Sequence, residues 1–219
     1  MNLTRVETAA EAIRKEILSG RYLSGERLVE LRIAQQLAVS QNTIRDALRI
    51  LEQEGWVVKT PRLGVHVRQF SDADAAEIGA LIASVETLAL TWAIPHLDRN
   101  TRAQLRALIR VARQFAHDGD QRQAFDHLLR FHQQISTAAQ KPLTEQVLET
   151  LYNQLRLLDA LRQARAPRSD RELTTRIDEH EALLKLIDAG DVEAACQQLR
   201  HLIDAYSAAT VAALRLSST

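Results

Sequence analysis

The sequence predicts a mainly α-helical protein: an N-terminal winged helix-turn-helix (three helices plus a β-hairpin) followed by an antiparallel all-α helical bundle. Three observations predict it. Apolar residues recur at helical spacing in three short blocks within the first 55 residues. Two β-rich runs then flank a turn carrying Pro61 and Gly64. From Ser71 onward the strand signal vanishes, and every later segment has helical periodicity.

The first block carries Ala9, Ile13 and Ile17 and ends near Gly20, a residue that stops helices. Gly25 marks a turn. A second helix is expected at about 30–38, with Leu31, Ala34, Leu37 and Ala38 on one side. Ser40 is placed to cap a third over about 41–54, which Gly55 closes. Trp56-Val57-Val58-Lys59 and Val65-His66-Val67-Arg68 then read as a hairpin around Thr60-Pro61-Arg62-Leu63-Gly64. Helices are expected at about 72–94, 101–117, 121–139, 143–165, 170–189 and 191–214, separated by Pro95, Gly119, Pro142, Pro167 and Gly190. Short loops between them imply antiparallel neighbours. The expected organisation is a DNA-binding domain over 1–69, a linker over 70–75 and a helical domain over 76–219.

Composition narrows the classes. A single cysteine, Cys196, rules out an internal disulfide, a zinc ribbon and a redox pair, and makes a reducing cytoplasm the expected home. No run approaches the roughly 20 apolar residues that span a bilayer. The opening residues lack the apolar stretch of a secretory signal. Net charge is zero, but residues 1–70 hold 11 Lys and Arg against 8 Asp and Glu, leaving the remainder with 17 against 20. A mildly basic head on a mildly acidic body suits a head that meets phosphates.

The third helix is the most informative stretch. Ile44, Ala47, Leu48 and Leu51 follow i, i+3, i+4, i+7 and should face the core. Gln41, Asn42, Arg45 and Arg49 fall on the opposite face, where donor-rich side chains can read base edges in a major groove. Ser40 and Thr43 stand at the helix start, where hydroxyls and free amides grip a phosphate. A solvated surface helix can carry two outward arginines as well. The helix before it, the tight turn Ala38-Val39-Ser40 and the hairpin after it favour double-stranded DNA. In the hairpin, Arg62 and Gly64 at the tip suit a minor groove, with Lys59 and His66 on nearby phosphates.

The run Gly25-Glu26-Arg27-Leu28, then Ile33-Ala34-Gln35-Gln36-Leu37-Ala38-Val39-Ser40-Gln41-Asn42-Thr43-Ile44-Arg45-Asp46-Ala47-Leu48-Arg49-Ile50-Leu51-Glu52-Gln53-Glu54-Gly55-Trp56, resembles the GntR family of bacterial regulators. The resemblance implies a transcriptional regulator whose Arg45, Arg49 and 40–43 turn contact an operator, with the Arg62–Gly64 wing assisting. Gln41 stands where the family usually has arginine, and Thr43 where proline is common. Both imply an altered base preference.

The remainder resembles the helical, FCD-type ligand-sensing domain of the FadR-like branch. The likeness lies in Val85-Glu86, in Phe131-His132 with Pro142-Leu143, and in Glu179-His180 with Gly190-Asp191 and Ala194-Ala195. The branch implies a divalent metal, zinc or similar, held by one aspartate and three histidines, with a small carboxylate effector against it. His132 and His180 match two ligand positions, whereas Leu128 and Leu202 stand at the other two. Ile82 replaces a pocket arginine. His201 neighbours Leu202, yet one residue turns a side chain by about 100° on a helix. His201 or Glu179 would have to complete a metal site.

Directly read, His132 shares a stripe with Leu128, Ile135 and Ala139, and His180 with Leu183, Leu184 and Ile187. Both should point inward, as hydrogen-bonded core residues, as ligands, or as polar anchors in an otherwise apolar cavity. Such a cavity would suit an effector that is apolar or carboxylate-bearing and greasier than a small hydroxy acid. Arg156 and Arg162 are candidate carboxylate partners, though their amphipathic helices make solvent-facing positions the simpler reading. A filled-in pocket and a regulator without an effector remain open.

An enzyme is not expected. Asp126, His127 and His132 lie at offsets that share no helix face, and no nucleophile elbow or phosphate loop occurs. One recognition helix spans only a few base pairs, so specific binding calls for a homodimer on a near-palindrome. Repression, with release by an effector, is the expected mode.

Overall fold

The computed structural model describes residues 3–165 and 168–215. The chain divides into two compact units. One runs to Ser71 and also includes Asn153–Ala164; the other comprises Asp72–Tyr152 and the residues from Arg165 onward.

Helix α1 (Arg5–Leu18) opens on a capping box. The Thr4 hydroxyl accepts from the Glu7 amide at 3.2 Å, and the Thr4 amide donates to the Glu7 carboxylate at 2.7 Å. Ala9, Ala10, Ile13 and Ile17 form its buried stripe. Helix α2 (Glu30–Leu37) ends at Ala38 with φ of 52°, a left-handed stop that sends the chain straight to Ser40. Helix α3 (Gln41–Gln53) is capped by Ser40 and buries Ile44, Ala47, Leu48 and Leu51 against α1 and α2. Burying such side chains contributes roughly 1.5–3 kcal/mol each for the aliphatic ones. Arg14 on α1 grips Glu54 at the end of α3 through two parallel hydrogen bonds of 2.9 and 2.8 Å.

The hairpin is β2 (Val57–Thr60) with β3 (Gly64–Val67). A further strand that the sequence pattern did not predict, β1 (Arg27–Leu28), pairs antiparallel with β3, so the sheet order is β1-β3-β2. Two residues are too short for periodicity to register. At the tip, Pro61 precedes Arg62, whose φ is 67°, and the Leu63 amide closes the turn on the Thr60 carbonyl at 3.1 Å.

In the second unit, α4 (Asp72–Ala93) starts within the expected linker, so residues 72–75 are helical. A single 3-10 turn, Ile94–His96, follows at Pro95. Helices α5 (Arg99–His117), α6 (Gln121–Ala138), α7 (Pro142–Arg165, of which Asn153–Ala164 groups with the first unit), α8 (Asp170–Ala189) and α9 (Val192–Arg215) lie close to the predicted spans. Asp98, Asp120 and Ser169 cap α5, α6 and α8, and Gly190 at φ of 74° ends α8.

Helix α4 packs along α9, α5 along α6 and α8, and α8 along α9. The α4–α9 approach depends on Gly79, where a Cβ would sit 2.2 Å from the Ser207 hydroxyl. Arg113 on α5 bridges Asp178 and Glu181 on α8, both at 2.8 Å. The segment Asp72–His96 is long enough and, averaged over its most apolar stretch, apolar enough to cross a membrane, although acids interrupt its apolar runs. It carries the acids Asp72, Asp74, Glu77 and Glu86, and half of its most apolar window is buried inside the bundle.

Candidate nucleic-acid interface and buried histidine pair

In the head, α3 keeps its apolar face in the core and turns Gln41, Asn42, Arg45 and Arg49 to solvent. The Ser40 hydroxyl accepts from the Thr43 amide at 3.1 Å and meets the Thr43 hydroxyl at 2.8 Å. Helix geometry leaves the amides of Gln41 and Asn42 without intrahelical acceptors. That end of α3 is therefore rich in donors and partially positive.

The two arginines differ in how they are held. Arg45 donates to Glu30 on α2 at 3.0 Å and to Asn42 at 3.3 Å, and its side chain is 47% exposed. Gln41 reaches the same Glu30 oxygen at 3.2 Å. Arg49 is 67% exposed and, among the described residues, pairs with its helix neighbour Asp46 alone, at 3.0 Å. Glu30 was not singled out in the sequence; an acid in the first turn of a short helix is unremarkable there, and only the fold brings it beside α3.

The wing is less uniform than expected. Directly paired residues share a face of an antiparallel ladder. Lys59 pairs with Val65, while His66 pairs with Val58 on one side and Arg27 on the other. Lys59 and His66 therefore project from opposite faces, and the structure does not bring them together. Arg27 joins His66 instead. Its guanidinium lies across the wing over Gly64, where a Cβ would stand 3.1 Å from Arg27 Nε. Lys59 and Arg62 are exposed, and Gly64 and His66 are half-buried.

In the second unit, His132 on α6 and His180 on α8 meet in the core. Their Nε2 atoms are 3.0 Å apart. His132 Nδ1 contacts Glu86 Oε1 on α4, and His180 Nδ1 lies 2.7 Å from the Arg176 carbonyl. Glu86 and His180 have no exposed surface. The carbonyl can only accept, so His180 Nδ1 carries a proton and donates. Burial, and secondly the neighbouring His132, hold the His180 imidazole well below its usual basicity, so it is neutral. Its Nε2 is then an acceptor, and His132 Nε2 donates to it. The result is a donor chain from His132 through His180 to a backbone carbonyl, with Glu86 against the other ring nitrogen of His132.

The Glu86 Oε2 atom and the Ser136 and Tyr152 hydroxyls are buried as well, the Tyr152 hydroxyl beside the Glu86 carboxylate. Burial, then the adjacent Glu86 carboxylate, pushes the Tyr152 hydroxyl well above its usual range. Ile82, Leu128 and Leu202 are buried and apolar, each 2–3% exposed. His201 is exposed on α9 beside buried Leu202, and Glu179 lines a different cavity. Among the described residues, no group of three His, Cys, Asp or Glu is arranged to hold a metal ion. Two nitrogens joined to each other are fewer ligands than a zinc site uses, so the residues present do not fit the implied metal.

Two cavities have neither histidine in their lining. One, of about 340 Å3, lies between α8 and α9 against Arg176, Glu179, Leu202 and Tyr206, with the Arg176 guanidinium 4.1 Å above the Tyr206 ring. The other, of about 590 Å3, lies in the head between α1 and the α2–α3 turn. Arg162 is buried, contrary to the solvent-facing expectation, and Arg156 is half-buried against Asn153.

A capped helix behind a tight turn, with a three-stranded wing, defines a winged helix-turn-helix DNA-binding regulator carrying a helical second domain. Residues 5–67 match the model of the bacterial regulatory proteins, gntR family, and residues 77–205 match the FCD domain. The chain belongs to the GntR family of transcriptional regulators, in its FCD-domain group. It is similar to a "Probable D-xylose utilization operon transcriptional repressor" of Paenarthrobacter nicotinovorans, 26% identical over 95% of this chain and 91% of that one. An uncharacterised HTH-type regulator, YdhC of Bacillus subtilis, is 22% identical over 88% of this chain and 89% of its own. Among solved structures, E. coli McbR/YncC superposes with a TM-score of 0.84 at 20% identity, covering all of both chains. A GntR regulator from Rhodococcus sp. RHA1 gives 0.80 at 22%, over 96% of this chain and 99% of that one. These are regulators, not enzymes.

Proposed function

We propose that this regulator is a repressor that binds a near-palindromic operator as a homodimer in the cytoplasm and is released by a small-molecule effector held in its helical domain. The observation that carries the DNA half is the solvent face of α3, where Gln41, Asn42, Arg45 and Arg49 stand behind a capped, donor-rich helix start. In this reading Ser40 and Thr43 hold a phosphate, Arg45 and Arg49 read bases, and Arg62, Gly64 and His66 act from the wing with Arg27. Lys59, on the other face of the hairpin, takes at most a separate phosphate. Residues 1–69 serve as the DNA-binding domain, 70–75 as its junction and 76–219 as the effector and dimerisation domain.

Dimerisation is supported by α4. The helix is apolar on nearly all sides, yet Leu81 and Leu88, seven residues apart and so on one face, are 45% and 47% exposed. A helix of that kind is normally covered. Repression is supported by the relative named for a D-xylose utilisation operon, which also puts pentoses in the effector panel.

The effector reading rests on the buried polar atoms around His132 and His180. Ile82, Leu128 and Leu202 are apolar where a polar pocket would need side chains to grip a small acid, and the buried Glu86 carboxylate disfavours a second carboxylate beside it. A second reading, regulation without an effector, is favoured by the way the histidines already satisfy one another. The test is operator affinity titrated with pentoses, apolar acids and dicarboxylates. Release by one of the first two classes supports the first reading. Affinity unmoved by any of them supports the second. An effector can shift the operator-binding population only by its differential affinity for the two states.

A further inference from the structure

We propose that Arg5 is an additional DNA contact, and that the groove between α1 and the α2–α3 turn seats a backbone phosphate of the bound duplex. This rests on the reading of α3 as the recognition helix. The groove has a volume of about 590 Å3 and brings Arg5, Thr8, Ala9 and Ala12 of α1 against Leu37–Ser40 and Thr43. It opens beside the end of α3 that enters a major groove, where a strand of the duplex must pass.

Charge points to the occupant. Arg5 is the cation of the lining, and the lining contains no carboxylate. Arg5 is exposed and makes no ion pair among the described residues, and the acids of α1 are engaged elsewhere: Glu7 with the Thr4 amide, Glu11 with Arg14 and Glu16 with Arg21. The hydroxyls supply the second feature. Ser40 and Thr43 share one contact of 2.8 Å, which uses one of their two O–H protons. The other proton is left to donate to an incoming oxygen. The Thr8 hydroxyl, in contrast, is spent on the Thr4 carbonyl at 2.9 Å. The seat therefore offers a guanidinium, one hydroxyl proton and the partially positive start of α3 to a single anionic oxygen group. Nothing in it distinguishes one base from another, so Arg5 adds affinity without sequence preference.

The experiment is fluorescence anisotropy of the full chain on a selected operator and on a scrambled duplex of the same length, over a salt series. Arg5→Ala is expected to weaken both by a similar factor and to lower the slope of log affinity against log salt by about 0.9. The affinity lost between roughly 50 and 200 mM salt then shrinks about 3.5-fold. Arg5→Lys, which keeps the point charge, restores most of the slope. An Arg5→Ala variant with unchanged affinity and slope overturns the phosphate seat and leaves the α3 reading intact. A loss confined to the operator overturns it too, because Arg5 would then read bases. Wild-type protein that binds neither duplex sinks the α3 reading along with this one.

Discussion

Glu30 on α2 holds the guanidinium of Arg45 on α3 at 3.0 Å and takes a hydrogen bond from Gln41 through the same oxygen. A carboxylate thus sits at the edge of the face proposed to meet DNA, where it orients one arginine and would oppose the phosphates. Glu30→Gln is predicted to tighten binding to random duplex several-fold and to narrow the gap between operator and random DNA. The pair is partly exposed, so protein stability should change by less than about 1 kcal/mol. Equilibrium binding on both duplexes checks this; weaker binding to random DNA would show that Glu30 acts only as an orienting group.

Arg62 occupies left-handed backbone, φ 67°, at the wing tip. A residue with a Cβ is disfavoured there by roughly 1–2 kcal/mol. Arg62→Gly is predicted to leave folding unharmed or stabilise it by up to about 1 kcal/mol, while weakening DNA binding. Denaturant melts and anisotropy together check the trade. A variant that loses stability would mean that the arginine holds the wing by contacts of its own.

His180 is buried and neutral, so the unfolded chain takes up a proton there more readily than the folded one. Its contribution to stability is present above the ordinary histidine value of 6.5 and is lost as pH falls below it. The slope is at most about 1.4 kcal/mol per pH unit. His180→Gln, which retains a polar side chain, is predicted to lower stability near pH 8 and flatten the decline between pH 7 and 5. Thermal melts across that range check it. Equal slopes in both proteins would place the acid sensitivity elsewhere.

Leu81 and Leu88 stand exposed on one face of α4. Leu81→Glu combined with Leu88→Glu is predicted to yield folded monomers that bind the operator at least tenfold more weakly, because each mismatched head loses its partner's half-site. Light scattering and circular dichroism check the two parts. A dimer that survives the double change would move the interface off α4.

Much of this was legible in the chain because it is local. The cap at Ser40, the 3.6-residue stripes and the Pro61–Gly64 turn each declare themselves within a few residues. What escaped is what only folding brings together. Glu86 lies 46 residues before His132, inside an apolar run where a lone acid was the available clue. Arg27 and Glu30 come beside the wing and the solvent face of α3 only when β1 joins β3 and α2 packs on α3. The inward direction of His132 and His180 followed from periodicity, but their contact with each other did not. Lys59 and His66 were grouped by nearness in sequence, and strand alternation separates them.

The most direct test of the central claim is selection of bound duplexes from a random-sequence pool, run with the wild type and with Arg45→Ala. The wild type is predicted to enrich two inverted half-sites, with Arg45→Ala losing roughly 1–3 kcal/mol on them and less on random DNA. Enrichment of a single unrepeated site, or an equal loss on every sequence, would contradict a homodimer reading its operator through α3.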